Sequence, residues 1–214
     1  MRCPACSGLV VYDRERGELV CALCELVVAE PTWPYPPEYM EAVYVVRASA
    51  KEKMVREVIR MYSTANTAVA FSGKDSMTAL HLAVTAGVAV DVVISAYVAD
   101  RRLPQKVVDE LRAVAESLGA RRVVIHDEPW DIHASLFRII SRTYGYDAII
   151  TGLRRRENRG HNNVVEYSRV VKLINPIIDW TIAEVWSYIY NYRLPVMTPY
   201  RDISRPDVSL QHLV

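Results

Sequence analysis

The sequence predicts an α/β fold, a parallel sheet with helices on both faces, preceded by a small cysteine-bearing unit. Two observations support this prediction. From about residue 49 onward, short apolar runs typical of buried strands alternate with segments of helical periodicity. All four cysteines of the chain fall within its first 24 residues. The length of 214 residues suits one medium domain with a small module beside it.

Composition narrows the classes of function. The chain is 51% hydrophobic and 24% charged with a formal net charge of +1, which gives no global reason to expect a nucleic-acid or membrane partner. No uninterrupted apolar run approaches the length of a membrane span. The first residues lack the apolar core of a secretory signal, and we therefore expect a cytoplasmic protein with no membrane partner.

The four cysteines form two pairs with the spacing of a zinc site. Cys3 and Cys6 precede a turn-rich stretch flanked by apolar residues, and Cys21 and Cys24 follow it. A hairpin between the pairs would bring four thiolates to one tetrahedral ion, which predicts a structural Zn²⁺ in a zinc ribbon over residues 1–30. This stretch resembles the N-terminal ribbon of transcription factor IIB. The resemblance implies a module that docks a protein or a nucleic acid such as RNA, or one that only staples the terminus.

A proline-rich and aromatic segment separates this unit from the main domain. Four prolines fall between residues 31 and 37, and they alternate with Trp33 and Tyr35. Proline donates no backbone hydrogen bond and disfavours helix at the residue before it, so residues 31–48 are predicted to form an extended linker. We expect its aromatic side chains to pin it to the main domain.

The main domain is predicted to cover residues 49–214. Ser49 is expected to cap its first helix. The expected helices cover residues 49–62, 76–85, 104–118 and 131–144, and the expected strands cover residues 67–71, 90–98, 121–126 and 147–151. Strands separated by helices imply right-handed crossovers, and hence a Rossmann-like parallel sheet covered on both faces. Ligands of such sheets bind beyond the carboxyl ends of the strands.

The turn after the first of these strands has the character of a phosphate-binding loop. Phe71 ends the strand, and Ser72-Gly73-Lys74-Asp75-Ser76 leads into a helix. Backbone N–H groups at such a turn can cradle phosphate, Gly73 permits close approach, and Lys74 supplies a positive charge. Asp75 follows the lysine where a Walker A loop has Ser or Thr, so this is a different kind of loop.

A second set of candidate residues follows the strand over residues 147–151. Gly152 would let the backbone approach a nucleotide, and the arginines after it suit phosphate or sulfate. Asp179 is expected either to cap a helix or to help organise the site, Thr181 is the other candidate cap, and Glu184 stands where a capping box has its acid. The expected nucleotide-binding residues beyond the first loop are Thr151, Gly152, Arg156 and Asp179, and the basic cluster comprises Arg154, Arg155, Arg156 and Arg159.

Other polar and aromatic residues carry weaker signals. Trp180, Trp186 and Tyr188 are expected in the core. The histidines lack the spacing of metal ligands. His81 could face the core or the site, His126 ends a strand, and His161 lies near the arginines.

The motifs also resemble a known family. Phe71 to Ser76 is similar to the PP-loop of the adenine nucleotide α-hydrolase superfamily, and the stretches 151–155, 175–189, 194–195 and 199–200 resemble phosphoadenosine phosphosulfate (PAPS) reductases. This resemblance spans most of residues 65–200. It implies a Rossmann-like nucleotide domain and, for the superfamily, cleavage of ATP between the α and β phosphates.

Three hypotheses for the reaction follow. In the preferred one the protein transfers AMP from ATP to an acceptor such as flavin mononucleotide or sulfate, with Lys74, Asp75, Arg154, Arg155 and a bound Mg²⁺ as the catalytic groups. The second is sulfonucleotide reduction, for which the resemblance implies a cysteine nucleophile. Residues 25–214 contain no cysteine, which disfavours it. The third is tRNA modification or nucleotide sensing, with the ribbon as the docking module.

Overall fold

Three short strands lie at the start of the chain. The computed structural model describes residues 10–13, 18–21 and 27–28 through their backbone, and residues 33–130, 135–155 and 163–197 together with their side chains. Strands β1 (Val10–Asp13), β2 (Glu18–Cys21) and β3 (Val27–Val28) form an antiparallel sheet in that order. The hairpin predicted between the cysteine pairs is therefore confirmed. Cys3, Cys6 and Cys24 lie outside the described residues, and Cys21 is described only as a backbone position of β2.

The segment predicted as an extended linker is helical from Pro37 onward. Helix α1 (Pro37–Val43) passes through a π-helical stretch, Tyr44–Ala48, directly into α2 (Ser49–Tyr62). The extended conformation predicted up to residue 48 is wrong because proline is well suited to the first position of a helix, where its missing N–H costs nothing. Ser49 caps no helix start, since its hydroxyl donates to the Val45 carbonyl at 2.9 Å within the continuous helix.

The aromatic residues before α1 do pin this segment to the main domain, as predicted. The Trp33 ring meets Trp186 edge-on at 6.3 Å and Tyr190 edge-on at 5.2 Å between centroids. Met40 and Val43 on α1 are buried. Aromatic edge-to-face contacts of this kind add stabilisation beyond the apolar area they bury. The N-terminal helical segment is thus part of the packed domain.

A six-stranded sheet forms the centre of the molecule. Its strands are β4 (Thr67–Phe71), β5 (Asp91–Ser95), β8 (Arg122–His126), β9 (Ala148–Ile150), β10 (Val165–Tyr167) and β11 (Lys172–Ile174). The order across the sheet is β10-β11-β9-β4-β5-β8, and all neighbours are parallel except the edge pair β10 and β11. The remaining helices are α3 (Lys74–Thr85), α4 (Gln105–Ser117), α5 (Leu136–Tyr144) and α6 (Ile182–Tyr192).

Helices cover both faces of this sheet, but unequally. Alternate strand residues such as Val69 and Ile150 pack into a large apolar core with α2, α3, α4 and α6. Their neighbours, such as Ala68 and Ile149, face a smaller core built with α5. Parallel strands buried on both faces read as continuous apolar runs, which is why β4 and β5 were recognisable from the sequence. Within the described part of the chain, no helix combines the length and apolar character needed to cross a membrane.

Three details of the predicted element order need correction. The strand predicted over residues 90–98 ends at Ser95, and a small hairpin of β6 (Tyr97–Val98) and β7 (Arg101–Arg102) follows. Ala99 turns this hairpin with a φ of 56°. Strands β10 and β11 were not predicted, because runs of three residues are too short to show alternation. The helix expected from residue 131 begins at Leu136, and residues 131–134 lie outside the described part.

A buried acid holds the amino ends of the strands together. Asp91, the first residue of β5, accepts hydrogen bonds from Arg121 at 2.7 Å, from Arg122 at 2.7 Å and from the Tyr146 hydroxyl at 2.9 Å. Burial alone would raise the pKa of Asp91, but these donors outweigh it and hold the pKa below its usual value. This cluster lies at the end of the sheet away from the predicted phosphate loop.

Candidate nucleotide-binding site

The predicted phosphate loop joins the carboxyl end of β4 to the amino end of α3. Phe71 is buried at the end of the strand, and α3 begins at Lys74. The Ser76 hydroxyl accepts hydrogen bonds from the backbone N–H groups of Ser72 at 2.8 Å and Gly73 at 2.9 Å, and it donates to the Gly73 carbonyl at 2.9 Å. Ser76 therefore shapes the loop from inside. A helix leaves its first-turn amides without intrahelical partners, which suits them to meet an anion. In α3 the Ser76 amide is covered by Gly152, which leaves those of Lys74 and Asp75 for this role.

Two cations and one carboxylate meet at the start of α3. Lys74 Nζ lies 2.8 Å from Asp75 Oδ2, and Arg154 Nε lies 2.8 Å from Asp75 Oδ1. Lys74 and Arg154 are only 1% and 3% exposed. Burying a cation costs free energy unless an opposite charge pairs with it. The Asp75 carboxylate offsets this cost for both side chains and holds them in place. All three groups lie at the positive end of a helix.

Gly152 packs directly against the first turn of α3. A Cβ added to Gly152 would lie 2.6 Å from the Asp75 carbonyl carbon and 2.8 Å from Ser76 Cα. Only glycine allows the chain after β9 to touch the first turn of α3 this closely. The close approach is thus made to the protein's own phosphate loop, and it brings Arg154 to Asp75.

Thr151 and Asn175 are joined by a hydrogen bond where β9 and β11 end. The Thr151 hydroxyl donates to Asn175 Oδ1 at 2.6 Å, and Asn175 Nδ2 donates to the Asn163 carbonyl at 2.9 Å. Thr151 and Asn175 are 1% and 0% exposed, so this hydrogen-bonded pair is buried. Asn175 begins one of the stretches that resemble PAPS reductases, residues 175–189, but it is not among the predicted site residues. An amide directly after a strand and before a proline is the signal that could have identified it.

Arg155 and Asp179 form a more exposed pair. Arg155 Nε donates to Asp179 Oδ1 at 2.9 Å, with the two side chains 46% and 57% exposed. Asp179 therefore does not cap the following helix. Thr181 does, since its hydroxyl accepts from the Glu184 N–H at 3.2 Å while Glu184 accepts from the Thr181 N–H at 2.6 Å. The predicted capping box is confirmed with Thr181 as its first residue.

Glu184 also links α6 to α2. Its carboxylate lies 2.7 Å from Lys51 Nζ, which in addition donates to the Asp179 carbonyl at 3.0 Å. Burial alone would raise the pKa of Glu184, but Lys51 and the Thr181 amide hold it below its usual value. The side chain is therefore an ionised structural acid at neutral pH.

The two histidines among the described residues, His81 and His126, take structural positions. His81 lies on α3, 2.8 Å through Nδ1 from the Tyr188 hydroxyl, and burial followed by the Arg56 charge lowers its pKa to about 4. His126 is buried at the end of β8 with Nδ1 3.1 Å from the Tyr144 hydroxyl.

Trp180, Trp186 and Tyr188 are buried, as predicted. Arg156, Arg159 and His161 lie outside the described residues.

The arrangement of Asp75 bears on metal binding. Both of its oxygens contact cationic side chains. Magnesium in nucleotide sites is usually held by one or two carboxylates together with substrate phosphates and water. As described here, Asp75 fits the role of orienting Lys74 and Arg154 and does not fit that of a magnesium ligand.

Comparisons with known proteins agree with this architecture. Residues 66–202 match the family model described as phosphoadenosine phosphosulfate reductase domain, and residues 1–40 match the model described as TFIIB zinc-binding. The crystal structure of PAPS reductase from Candida auris in complex with phosphate superposes with a TM-score of 0.50 at 17% identity, over 76% of this chain and 89% of that one. The predicted fold class is thereby confirmed.

Two curated relatives match parts of the chain. Adenosine 5'-phosphosulfate reductase of Bacillus mycoides is 37% identical over 68 residues, which cover 30% of this chain and 29% of that protein. Transcription initiation factor IIB 6 of Halobacterium salinarum is 57% identical over 37 residues, which cover 17% of this chain and 12% of that protein. The chain therefore spans less than a third of the length of either relative.

Proposed function

Because this chain belongs to the phosphoadenosine phosphosulfate reductase domain family, we propose that it binds the phosphate groups of an adenine nucleotide at residues 72–76 and uses ATP to adenylylate a small acceptor. The observation that carries this proposal is the meeting of buried Lys74 and Arg154 at the carboxylate of Asp75, at the amino end of α3. The helix dipole favours an anion at this same end.

The reaction follows from where negative charge develops. An oxygen of the acceptor attacks the α-phosphorus, the bond from that phosphorus to the oxygen bridging to the β-phosphorus breaks, and pyrophosphate leaves with the electron pair. Lys74, Arg154 and the first-turn amides of α3 stabilise the charge on the departing pyrophosphate. Asp75 keeps the two cations in position throughout. Mg²⁺ enters as part of the Mg-ATP substrate, held by phosphate oxygens and water.

The acceptor is a small molecule with a nucleophilic oxygen, for which flavin mononucleotide and sulfate are the first two to test. Arg155 is more exposed than Arg154 and pairs with Asp179 at the surface. An incoming anionic acceptor can compete for this guanidinium at little cost, because exposed ion pairs contribute little to stability. Arg155 is therefore assigned to acceptor binding.

Sulfonucleotide reduction is the second candidate, favoured by the name of the Bacillus mycoides relative. That chemistry needs a thiolate. The matched domain, residues 66–202, contains no cysteine, and the thiols of this sequence are Cys3, Cys6, Cys21 and Cys24. Zinc in the ribbon would occupy those four sulfurs. Adenylyl transfer needs no thiol, which is why it is preferred.

The experiment incubates the purified protein with Mg-ATP and either flavin mononucleotide or sulfate, and measures pyrophosphate and the adenylylated product. Lys74→Ala should lower the rate at least about 100-fold, the cost of removing a group that stabilises the leaving charge. Lys106→Ala is the matched control, since it removes an exposed lysine of α4. Both variants should retain the zinc content and circular dichroism of the parent protein.

Two results would redirect the assignment. Sulfite released from PAPS or adenosine 5'-phosphosulfate with a thiol donor, with no pyrophosphate formed from ATP, would establish the reductase candidate instead. Full turnover by Lys74→Ala would show that the loop takes no part in the chemistry.

For the ribbon, the proposed role is a zinc-stapled docking module for a protein or RNA partner. Measuring the affinity for the isolated partner before and after chelation of zinc would test this role.

A further inference from the structure

A cleft beside helix α2 is rich in basic residues. It encloses about 270 Å³ between α2 and the end of α6. Its lining residues are Ser49, Glu52, Lys53, Arg56, Arg60 and Tyr192. Arg60 Nε donates to the Ala86 carbonyl at the end of α3, and Tyr192 packs on His81 of the same helix. Since α3 begins at Lys74, the cleft lies about 10–18 Å along the helix axis from the phosphate loop.

The charges of this cleft do not cancel. Glu52 is 4% exposed, and its carboxylate forms a salt bridge with Arg56 and accepts hydrogen bonds from the hydroxyls of Tyr44 and Tyr192. Arg56 therefore neutralises Glu52. Lys53 and Arg60 remain, because no described carboxylate pairs with Lys53 and the contact of Arg60 is to a neutral carbonyl. The six lining residues therefore carry a net charge of +2. Glu57, exposed on the same helix four residues after Lys53, is not among them.

The Arg56 guanidinium lies between the other two cations and is held in place by neighbouring side chains. Arg56 is fixed by Glu52 and by the Tyr192 hydroxyl, which lies 3.4 Å from its NH2 nitrogen. Its Nε is buried and finds no acceptor among the described residues. Residues 53, 56 and 60 recur at helical spacing, so one face of α2 presents all three cations. A preorganised arginine between two further cations suits a phosphate or sulfate group.

The surroundings favour a small ligand over a polyanion. The exposed residues beside the cations on α2 include Met54, 61% exposed, Met61, 72% exposed, and the acid Glu57. A nucleic-acid backbone needs a continuous row of cations, which two apolar side chains and a carboxylate interrupt. A neighbouring cleft of about 370 Å³ offers only Glu41 and Arg193 as charged residues, which balance each other.

We propose that the cleft formed by Lys53, Arg56 and Arg60 binds a phosphate or sulfate oxyanion, free or carried by a small molecule, independently of the phosphate loop. The proposal concerns a second site and does not depend on which reaction the first one performs. Affinity should fall as ionic strength rises, since two of the three cations are solvent-accessible.

The test follows the arginine Nε–H signals in ¹H–¹⁵N spectra while inorganic phosphate, sulfate or glycerol phosphate is added. Arg56 and Arg60, assigned through Arg→Lys variants, should shift, and Lys53→Ala with Arg60→Ala should weaken binding at this site about tenfold, since each exposed charge contributes under about 1 kcal/mol. The matched control is Lys106→Ala with Arg112→Ala, which removes two exposed cations from α4 and should leave the affinity unchanged.

The outcomes divide cleanly. A stronger response to glycerol phosphate than to inorganic phosphate identifies a phosphomonoester as the ligand, and the reverse identifies the free ion. Unmoved Arg56 and Arg60 signals, or equal weakening by both double variants, would overturn the proposal. Binding of a single-stranded RNA at these residues at least 100-fold more tightly than phosphate would also overturn it, in favour of a polyanion. Because the signals report the cleft directly, a phosphate bound only at residues 72–76 cannot be mistaken for success.

Discussion

Replacing Gly152 by alanine tests the contact on which the site is built. The added Cβ would meet the Asp75 carbonyl carbon at 2.6 Å, whereas ordinary contacts begin at 3.4 Å. The two backbones would have to separate by about 1 Å, and overpacking against atoms that cannot rotate away costs about 3 kcal/mol. For a chain of this size such a loss lowers the melting temperature by about 6–12 °C. The same shift pulls Arg154 from Asp75, so nucleotide affinity should fall as well.

Gly145→Ala is the control for this substitution. Gly145 has a φ of +76° at the end of α5, and an added Cβ there would meet nothing within 4 Å. Its cost is backbone strain alone, about 1 kcal/mol, and it leaves the site untouched. Urea denaturation measures both stabilities, and calorimetric titration with ATP measures binding. If Gly152→Ala proves no more costly than Gly145→Ala and binds ATP normally, residues 151–152 do not touch the start of α3.

Four further predictions concern pH, helix capping and metal content. The lowered pKa of Asp91 means that its stabilisation is present above about pH 4 and is lost as the pH falls further, so Asp91→Asn should flatten the acid limb of the urea midpoint. The pKa of His81 is lowered to about 4, so its protonation favours the unfolded chain. The free energy of unfolding should therefore decline as the pH falls from about 6.5 to 4. His81→Gln should remove this decline. Thr181→Ala should cost about 1 kcal/mol in the same assay by deleting a helix cap. Metal analysis should find about one Zn²⁺ per chain, lost when Cys3 and Cys6 are replaced by serine.

The sequence was most informative where local signals and burial agree. The strand Thr67–Phe71 was predicted with its observed bounds, because an apolar run followed by a glycine turn has few other interpretations. The Thr181 and Glu184 box was recognisable from spacing alone. The conformation of residues 37–48 was predicted wrongly because proline ends a helix at interior positions but is well suited to its first position. The packing of Trp33 against α6 holds the chain where a helix can start at Pro37, and this contact is not visible in the local sequence.

The inner geometry of the site depended on contacts distant in sequence. Arg154 and Asp75 are separated by 79 residues, and a basic run after a strand does not reveal which arginine turns inward. Arg154 is buried and Arg155 is paired at the surface, although they are adjacent. Gly152 was predicted to approach a nucleotide, and the structure adds a contact that no local pattern indicated, with the backbone of residues 75 and 76. Such pairings follow from the strand order, which local patterns do not determine.

The placement of Asp91 at the opposite end of the strands from Asp75 has a consequence for engineering. Asp91 and Asp75 are each paired with two basic side chains. Asp91 stabilises the amino ends of the strands, whereas Asp75 lies beyond their carboxyl ends, in the candidate site. Substitutions around Asp91 can therefore raise or lower heat resistance while leaving ligand affinity alone. A complete substitution scan scored separately for abundance and for nucleotide binding should split along this axis, with abundance defects shared by both ends and selective binding defects confined to one.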